Sequence, residues 1–95
     1  MNITATELDP RLHKLVNLGV SGIDLMHGEL KIKMLEAEAE LQMAQEIEEE
    51  NDYSDAMESM ERKYWEGYTD ALANLYSLTY DLSFAIADKE AKNGN

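Results

Sequence analysis

The sequence predicts an all-α fold, in which a short N-terminal helix precedes a long antiparallel helical hairpin that dimerises into a helical bundle. Two long segments carry apolar residues at the three- and four-residue spacing of helices. A short polar stretch separates them and is the best candidate for a turn. The only proline and three of the five glycines fall before residue 29, so the strongest helix breakers lie near the N-terminus.

A short first helix is predicted from about Pro10 to Leu18. Asp9 supplies a carboxylate at the N-cap, and Pro10 fits the first helical position, where its missing backbone N–H has no partner to lose. Gly19 is well placed to end the helix, because glycine readily adopts the left-handed conformation that follows many helix C-termini.

A long second helix is predicted to follow a capping box formed by Ser21 and Asp24. Gly28 interrupts the pattern, which would place the regular part from about Glu29. The helix is expected to fray into three consecutive glutamates at its C-terminus, since carboxylates are unfavourable at the negative end of the helix dipole. The apolar residues that recur on one face are Ile23, Leu30, Met34, Ala37, Leu41, Ala44 and Ile47.

Asn51 to Ser54 form the predicted turn, and either Asp52 or Ser54 is expected to cap the third helix. The third helix carries a heptad-like seam. Its members are Met57, Met60, Tyr64, Tyr68, Ala71, Leu75, Leu78, Leu82 and Ala85. If the two long helices pack antiparallel about residue 52, facing positions place Ile47 against Met57.

The third helix has more apolar surface than one neighbouring helix can cover. Four of its apolar residues outside the seam are predicted to form a homodimer interface, because a helix that is apolar nearly all round is normally central in a bundle. These are Leu72, Tyr76, Tyr80 and Phe84. The first helix is expected to cover part of the third, and a second copy of the chain the rest.

Composition indicates one helical domain over residues 1–95, with flexible ends at about 1–8 and 90–95. No cysteine is present, which excludes disulfides and thiol-based chemistry. No apolar run approaches the roughly 20 residues that span a bilayer, and the N-terminus lacks the segments of a signal peptide, so we expect a cytoplasmic protein that does not contact membranes. The net charge of -12 disfavours direct binding to nucleic acid and favours a protein partner with a basic surface.

Acidic residues are concentrated between Met34 and Glu61, where the chain has eleven of them and no lysine or arginine. One interpretation is a solvated helix face that confers solubility. The other is a recognition surface, since helices that need only solubility usually interleave both charges. The candidate partner-binding residues are Glu46, Glu48, Glu49, Glu50, Asp52, Asp55, Glu58 and Trp65. Trp65 either anchors a partner or is buried in the core.

Catalytic and metal-binding patterns are weak. A di-metal site in a helical bundle would need Glu-x-x-His pairs, which neither His13 nor His27 completes. Two Glu-x-x-Glu pairs, at 46–49 and 58–61, match only half of the magnesium-binding pattern of all-α nucleotide pyrophosphohydrolases. No nucleophile motif or phosphate loop is present. We therefore expect no enzyme activity, no catalytic residues, no cofactor and no metal.

The stretch YWEGYTDAL at 64–72, continued by LYSLTYDLSFAIA at 75–87, resembles segments of small acidic accessory proteins encoded by phages of actinobacteria. The resemblance covers about the last third of the chain and is a pattern of aromatic and aliphatic residues. It implies a viral accessory protein, made in the cytoplasm of a bacterial host, that binds and disables a host factor. It transfers no functional residue.

The sequence thus favours a non-enzymatic protein-binding module, a phage-encoded inhibitor or modulator of a host protein. Its acidic surface would engage a basic surface of that host protein. One form of this interaction is DNA mimicry, in which carboxylates take the place of phosphates. The alternative is a structural or assembly protein that acts through helical oligomerisation, in which the acidic residues only confer solubility.

Overall fold

The computed structural model describes residues 8–94 and has the predicted all-α architecture. Its helices are α1 (Pro10–Asn17), α2 (Gly22–Glu50) and α3 (Ala56–Asn93), and no strand occurs among the described residues. The molecule is elongated, with extents of 62 × 30 × 24 Å. Helix α3 extends through Asn93, into the C-terminal end that was expected to be flexible. Residues 1–7 and 95, also expected to be flexible, lie outside the described residues.

Helix α1 is held at both ends as its sequence predicts. The Asp9 carboxylate accepts a hydrogen bond of 2.8 Å from the backbone N–H of Arg11, and Gly19 follows the helix with φ of 85°. Its position in the fold differs from expectation, because α1 packs against α2 and makes no contact with α3 among the described residues. An ion pair between Arg11 and Glu29 joins α1 to α2.

Helix α2 begins at the predicted capping residue, where the Ser21 hydroxyl accepts a 3.3 Å hydrogen bond from the backbone N–H of Asp24. The helix continues through Gly28 without a break. Six of its seven predicted inner residues are buried or half-buried, and Ala37 is only 1% exposed. Ile47 is the exception. It is exposed, and Glu48 occupies the inner position instead.

The turn between α2 and α3 lies where it was predicted and uses two left-handed residues, Asp52 with φ of 52° and Tyr53 with φ of 59°. The Tyr53 N–H donates to the Glu48 carbonyl at 2.9 Å and closes the end of α2. Asp55 caps α3, because its carboxylate accepts a 2.8 Å hydrogen bond from the backbone N–H of Met57. The prediction that Asp52 or Ser54 would be the cap was wrong.

Helices α2 and α3 pack antiparallel, as long-range polar contacts along their length establish. Nδ1 of His27 lies 2.9 Å from Oγ1 of Thr79, and near the turn the Ser59 hydroxyl donates to Glu48 at 3.1 Å. The predicted register would have placed Glu48 opposite position 56. The observed register differs by about one helical turn.

The face of α3 that meets α2 is not the predicted heptad seam. The residues turned toward α2, all buried or half-buried, are Ser59, Arg62, Thr69, Leu72, Tyr76, Thr79 and Ser83. We call them the inner face. Every member of the predicted seam is exposed instead. We call these nine residues, Met57, Met60, Tyr64, Tyr68, Ala71, Leu75, Leu78, Leu82 and Ala85, the outer stripe.

The polar groups of the two helices explain why the inner face of α3, and not the outer stripe, packs against α2. The inner face supplies hydroxyls and one guanidinium at the positions where α2 presents Asp24, His27 and Glu48. Burying the outer stripe against α2 would leave those groups without partners, which is costly in a low-dielectric contact. The face whose polar groups pair with Asp24, His27 and Glu48 therefore forms the hairpin, and the more apolar face remains uncovered.

Candidate functional site

The acidic residues near the turn do not all belong to one exposed surface. Glu48 is only 2% exposed and forms an ion pair with Arg62. That guanidinium, helped by the Ser59 hydroxyl, holds the pKa of the Glu48 carboxyl below its usual range. The expectation that Glu48 contacts a partner is therefore corrected, because this side chain is buried between α2 and α3 and joins them.

Two further candidates contribute to the turn itself. Asp55 is the N-cap of α3. Glu58, half-buried, accepts hydrogen bonds of 2.8 and 3.0 Å from the side-chain amide of Asn51, which ends α2. Both carboxylates therefore have local partners that fix the geometry of the hairpin end, whatever else they contact.

Four of the predicted acidic residues remain on the surface around the turn, and we call them the hairpin-end acids: Glu46, Glu49, Glu50 and Asp52. None of them forms an ion pair within residues 8–94. The nearest guanidinium, that of Arg62, is engaged by Glu48 and Glu66. The hairpin end is thus a strongly negative surface without a compensating ion pair.

Trp65 is half-buried at the centre of an aromatic cluster. Tyr64 and Tyr68 both make edge-to-face ring contacts with it, at centroid distances of 5.1 and 5.7 Å. The two tyrosines stack at 6.1 Å. The ring is therefore packed on one side and still reaches the surface, and its role as an anchor for a partner stays a prediction.

A groove runs along the hairpin where this aromatic cluster meets acidic residues of α2. Its wider part encloses about 300 Å³ and is lined by Trp65, Tyr68, Lys33, Glu36, Ala37 and Glu40. A narrower part, about 90 Å³, continues toward the turn and is lined by Glu40, Met43, Ala44, Ile47, Glu58 and Glu61. Glu40 lines both parts, so they are neighbours on one side of the hairpin. We call this feature the acid–aromatic groove.

Sequence alone does not indicate that Glu36 and Glu40 belong to this site. Both lie in the acidic segment, so their charge was visible, but their position beside Trp65 depends on the hairpin register. A row of aromatic residues at spacing four was equally visible in the sequence. In the fold this row forms two clusters, one around Trp65 and one that begins at Tyr76. The buried Leu72 lies between them.

The second aromatic cluster surrounds His27. Its imidazole stacks on the Tyr76 ring at a centroid distance of 4.4 Å, and Tyr80 and Phe84 continue the cluster. Of the four predicted dimer residues, Leu72 is therefore committed to the hairpin core at 7% exposure. Tyr76 is half-buried against His27, and Tyr80 and Phe84 are exposed.

No cluster of three or more His, Asp or Glu side chains able to hold a metal ion occurs within residues 8–94. In the same range, no helix combines the length and apolar character needed to cross a membrane.

The N-terminal part of the chain adds an apolar cleft between α1 and α2. It encloses about 460 Å³, and its lining includes Leu12, Val16, Leu25, Met26 and Leu30.

Comparisons of the chain with protein-family models, with curated proteins and with solved structures found no match.

Proposed function

We propose that this chain is a non-enzymatic protein-binding module that engages a basic surface of a partner protein. The observation that carries the proposal is the hairpin end, where exposed carboxylates form no ion pair within residues 8–94 and the acid–aromatic groove ends close to the turn. Neither the negative charge of this surface nor its aromatic side chains would by themselves distinguish one class of partner from another. Together they suit arginine and lysine side chains, which pair with carboxylates and also stack on aromatic faces.

Arginine fits this chemistry best. Its guanidinium can donate two parallel hydrogen bonds to a carboxylate such as Glu36 or Glu40 while its planar face lies on Trp65. The surrounding negative field would speed association and make it sensitive to salt. Trp65 would contribute mainly to the lifetime of the complex, because desolvated aromatic contacts act on dissociation.

The biological setting of the proposal comes from the resemblance to phage accessory proteins. It favours a phage-encoded modulator that acts in the host cytoplasm on a host protein. A basic host surface that normally binds nucleic acid is a natural target, because exposed carboxylates spaced along a helix can substitute for phosphates.

The test neutralises the hairpin-end acids with Gln at 46, 49 and 50 and Asn at 52. Capture of host proteins from a lysate would then be compared with the unmodified chain at low and high salt. We expect folding to be unchanged by circular dichroism and capture to fall sharply. Capture by the unmodified chain should itself weaken as salt rises.

The matched control removes four negative charges elsewhere on α3, through Asp70→Asn, Asp81→Asn, Asp88→Asn and Glu90→Gln. All four residues are exposed. Because the net charge changes equally, this control should retain capture if the hairpin end is the binding surface. Equal loss in both variants would mean that only overall charge matters, and full capture by the hairpin-end variant would refute the proposal.

We propose a second candidate function, a structural or assembly protein acting through helical self-association, because the outer stripe leaves a long apolar surface uncovered. Under either function the chain is proposed to form a homodimer. The two functions differ in what they bind: an assembly protein would capture itself or other viral components, and its capture would not depend on the hairpin-end acids.

A further inference from the structure

We propose that the outer stripe of α3 is covered by a second copy of this chain, with the two α3 helices antiparallel and their two-fold axis near Ala71. This inference rests on the proposed homodimer and replaces its expected interface, since Leu72 is already buried inside the hairpin. Contiguous apolar surface of this kind marks an interaction site on a small protein.

The outer stripe has the form of a coiled-coil seam. Its residues recur at intervals of three and four from Met57 to Ala85, a length of about 42 Å along the helix. Exposure of the larger side chains along the stripe runs from 40% at Tyr68 to 70% at Met57, so the hairpin leaves a large part of the stripe uncovered. A second helix of similar length is the partner that such a seam fits.

The spacing of the stripe is nearly symmetric about Ala71, which points to two antiparallel copies. Met57 and Ala85 each lie fourteen residues from Ala71, and Tyr64 and Leu78 each lie seven. When α3 meets an antiparallel copy of itself around Ala71, seven of the nine stripe residues therefore face another stripe residue, and Tyr68 and Leu75 lie one position from each other's counterpart. An unrelated helix would need this spacing independently, whereas a second copy has it by identity.

Side-chain size follows the same symmetry. Met57 would face the small Ala85 of the second copy, and the large Tyr64 would face Leu78. At the axis Ala71 meets its own equivalent, where a small residue allows two helices to approach closely. Large residues opposite small or medium ones give the close packing that a stable helix pair requires.

Charge selects the antiparallel orientation over the parallel one. Residues 34–61 hold eleven acids and no lysine or arginine, whereas residues 62–95 hold five acids and four lysines or arginines. A parallel pair would place two hairpin ends side by side, with strong repulsion. An antiparallel pair places the two acidic ends at opposite ends of the stripe.

Cysteine cross-linking tests the orientation, because the chain has no cysteine of its own. An affinity-tagged Met57→Cys variant and an untagged Ala85→Cys variant would be refolded together and oxidised. We expect a mixed disulfide between them, since facing residues come within bridging distance. Met57→Cys alone should not link to itself, because its two copies would lie about 42 Å apart.

Two outcomes overturn the proposed pairing. Efficient self-linking of Met57→Cys would indicate a parallel pair. A Ser77→Cys control, on an exposed part of α3 outside the stripe, should not link to Met57→Cys. If it links as efficiently as Ala85→Cys, the cross-links report only random collision, and the proposed register fails.

Light scattering tests which face is used, with adjacent substitutions of equal charge. Leu78→Glu should lower the mass from twice 10.8 kDa to 10.8 kDa, whereas Ser77→Glu should leave it unchanged. Both residues are exposed in the hairpin, so neither change removes intrachain packing. An unmodified chain that is monomeric refutes the homodimer itself, whereas a dimer that Leu78→Glu leaves intact refutes only the interface on the outer stripe.

Discussion

Replacing Leu72 by alanine tests which face of α3 meets α2. Leu72 is 7% exposed in the hairpin. Buried Leu→Ala changes cost about 2–5 kcal/mol, and the cost falls where the surroundings can relax into the space. The contact between two helices is open at both edges, so we expect about 2–3 kcal/mol here. For a domain of this size, that lowers the melting temperature by roughly 10 °C or more.

Leu78→Ala is the matched comparison, because it deletes the same atoms from the outer stripe. Leu78 is 54% exposed, so its loss from the monomer should cost less than about 1 kcal/mol. Both variants would be unfolded with urea and followed by circular dichroism at several protein concentrations. A dimer contribution from Leu78 depends on concentration and disappears on dilution, whereas the hairpin contribution of Leu72 does not.

The predicted heptad seam and the observed fold give opposite results in this experiment. If the seam faced α2, Leu78→Ala would be the costly change at every concentration and Leu72→Ala would be nearly neutral. That result would refute the packing described above, together with every inference that depends on an exposed outer stripe.

Four other changes probe single interactions in the hairpin. Thr69→Val should stabilise the fold by about 1 kcal/mol, because the Thr69 hydroxyl is buried without a hydrogen-bond partner within residues 8–94. The same change at Thr79, whose hydroxyl contacts a histidine of α2, should destabilise it by about 1 kcal/mol; equal signs in urea titrations would contradict one of the two assignments. Tyr53→Asn should stabilise the turn by up to about 1 kcal/mol, because φ is 59° there and asparagine tolerates this left-handed conformation better than tyrosine. A loss of stability would show that contacts of the tyrosine ring contribute more than the relief of backbone strain. Because Arg62 lowers the pKa of Glu48, this pair stabilises the fold fully above the usual glutamate range, and its contribution is lost as pH falls through the lowered value. The pH dependence of the free energy of unfolding should therefore flatten in Glu48→Gln, and an unchanged acid limb would contradict the assignment.

Local features of the chain were predictable because they depend on neighbours in sequence. The capping residues Asp9 and Ser21, the position of the turn and the apolar face of α2 all follow from spacings of a few residues. The left-handed conformation of Gly19 follows from the same kind of information. Each of these is fixed within one or two helical turns, where propensity and capping act directly.

The candidate site was predictable only in part. Its acidic character was evident from composition, and Trp65 stood out as an anchor. The sequence does not indicate that Glu48 is buried, because its partner Arg62 lies fourteen residues away across the turn. Nor does it place Glu40 beside Trp65, since that neighbourhood depends on how the two helices are aligned.

Sequence by itself therefore determined the three helices, the N-caps of α1 and α2 and the hairpin, because hydrophobic periodicity and local capping specify them. Only the tertiary structure decided which side of α3 faces α2. Periodicity ranks faces by apolar content and favoured the outer stripe. Packing instead matched polar groups across the hairpin: buried Glu48 with Arg62, and half-buried His27 with buried Thr79, fifty-two residues away. A buried polar group without a partner is costly, and whether it finds one depends on both helices at once.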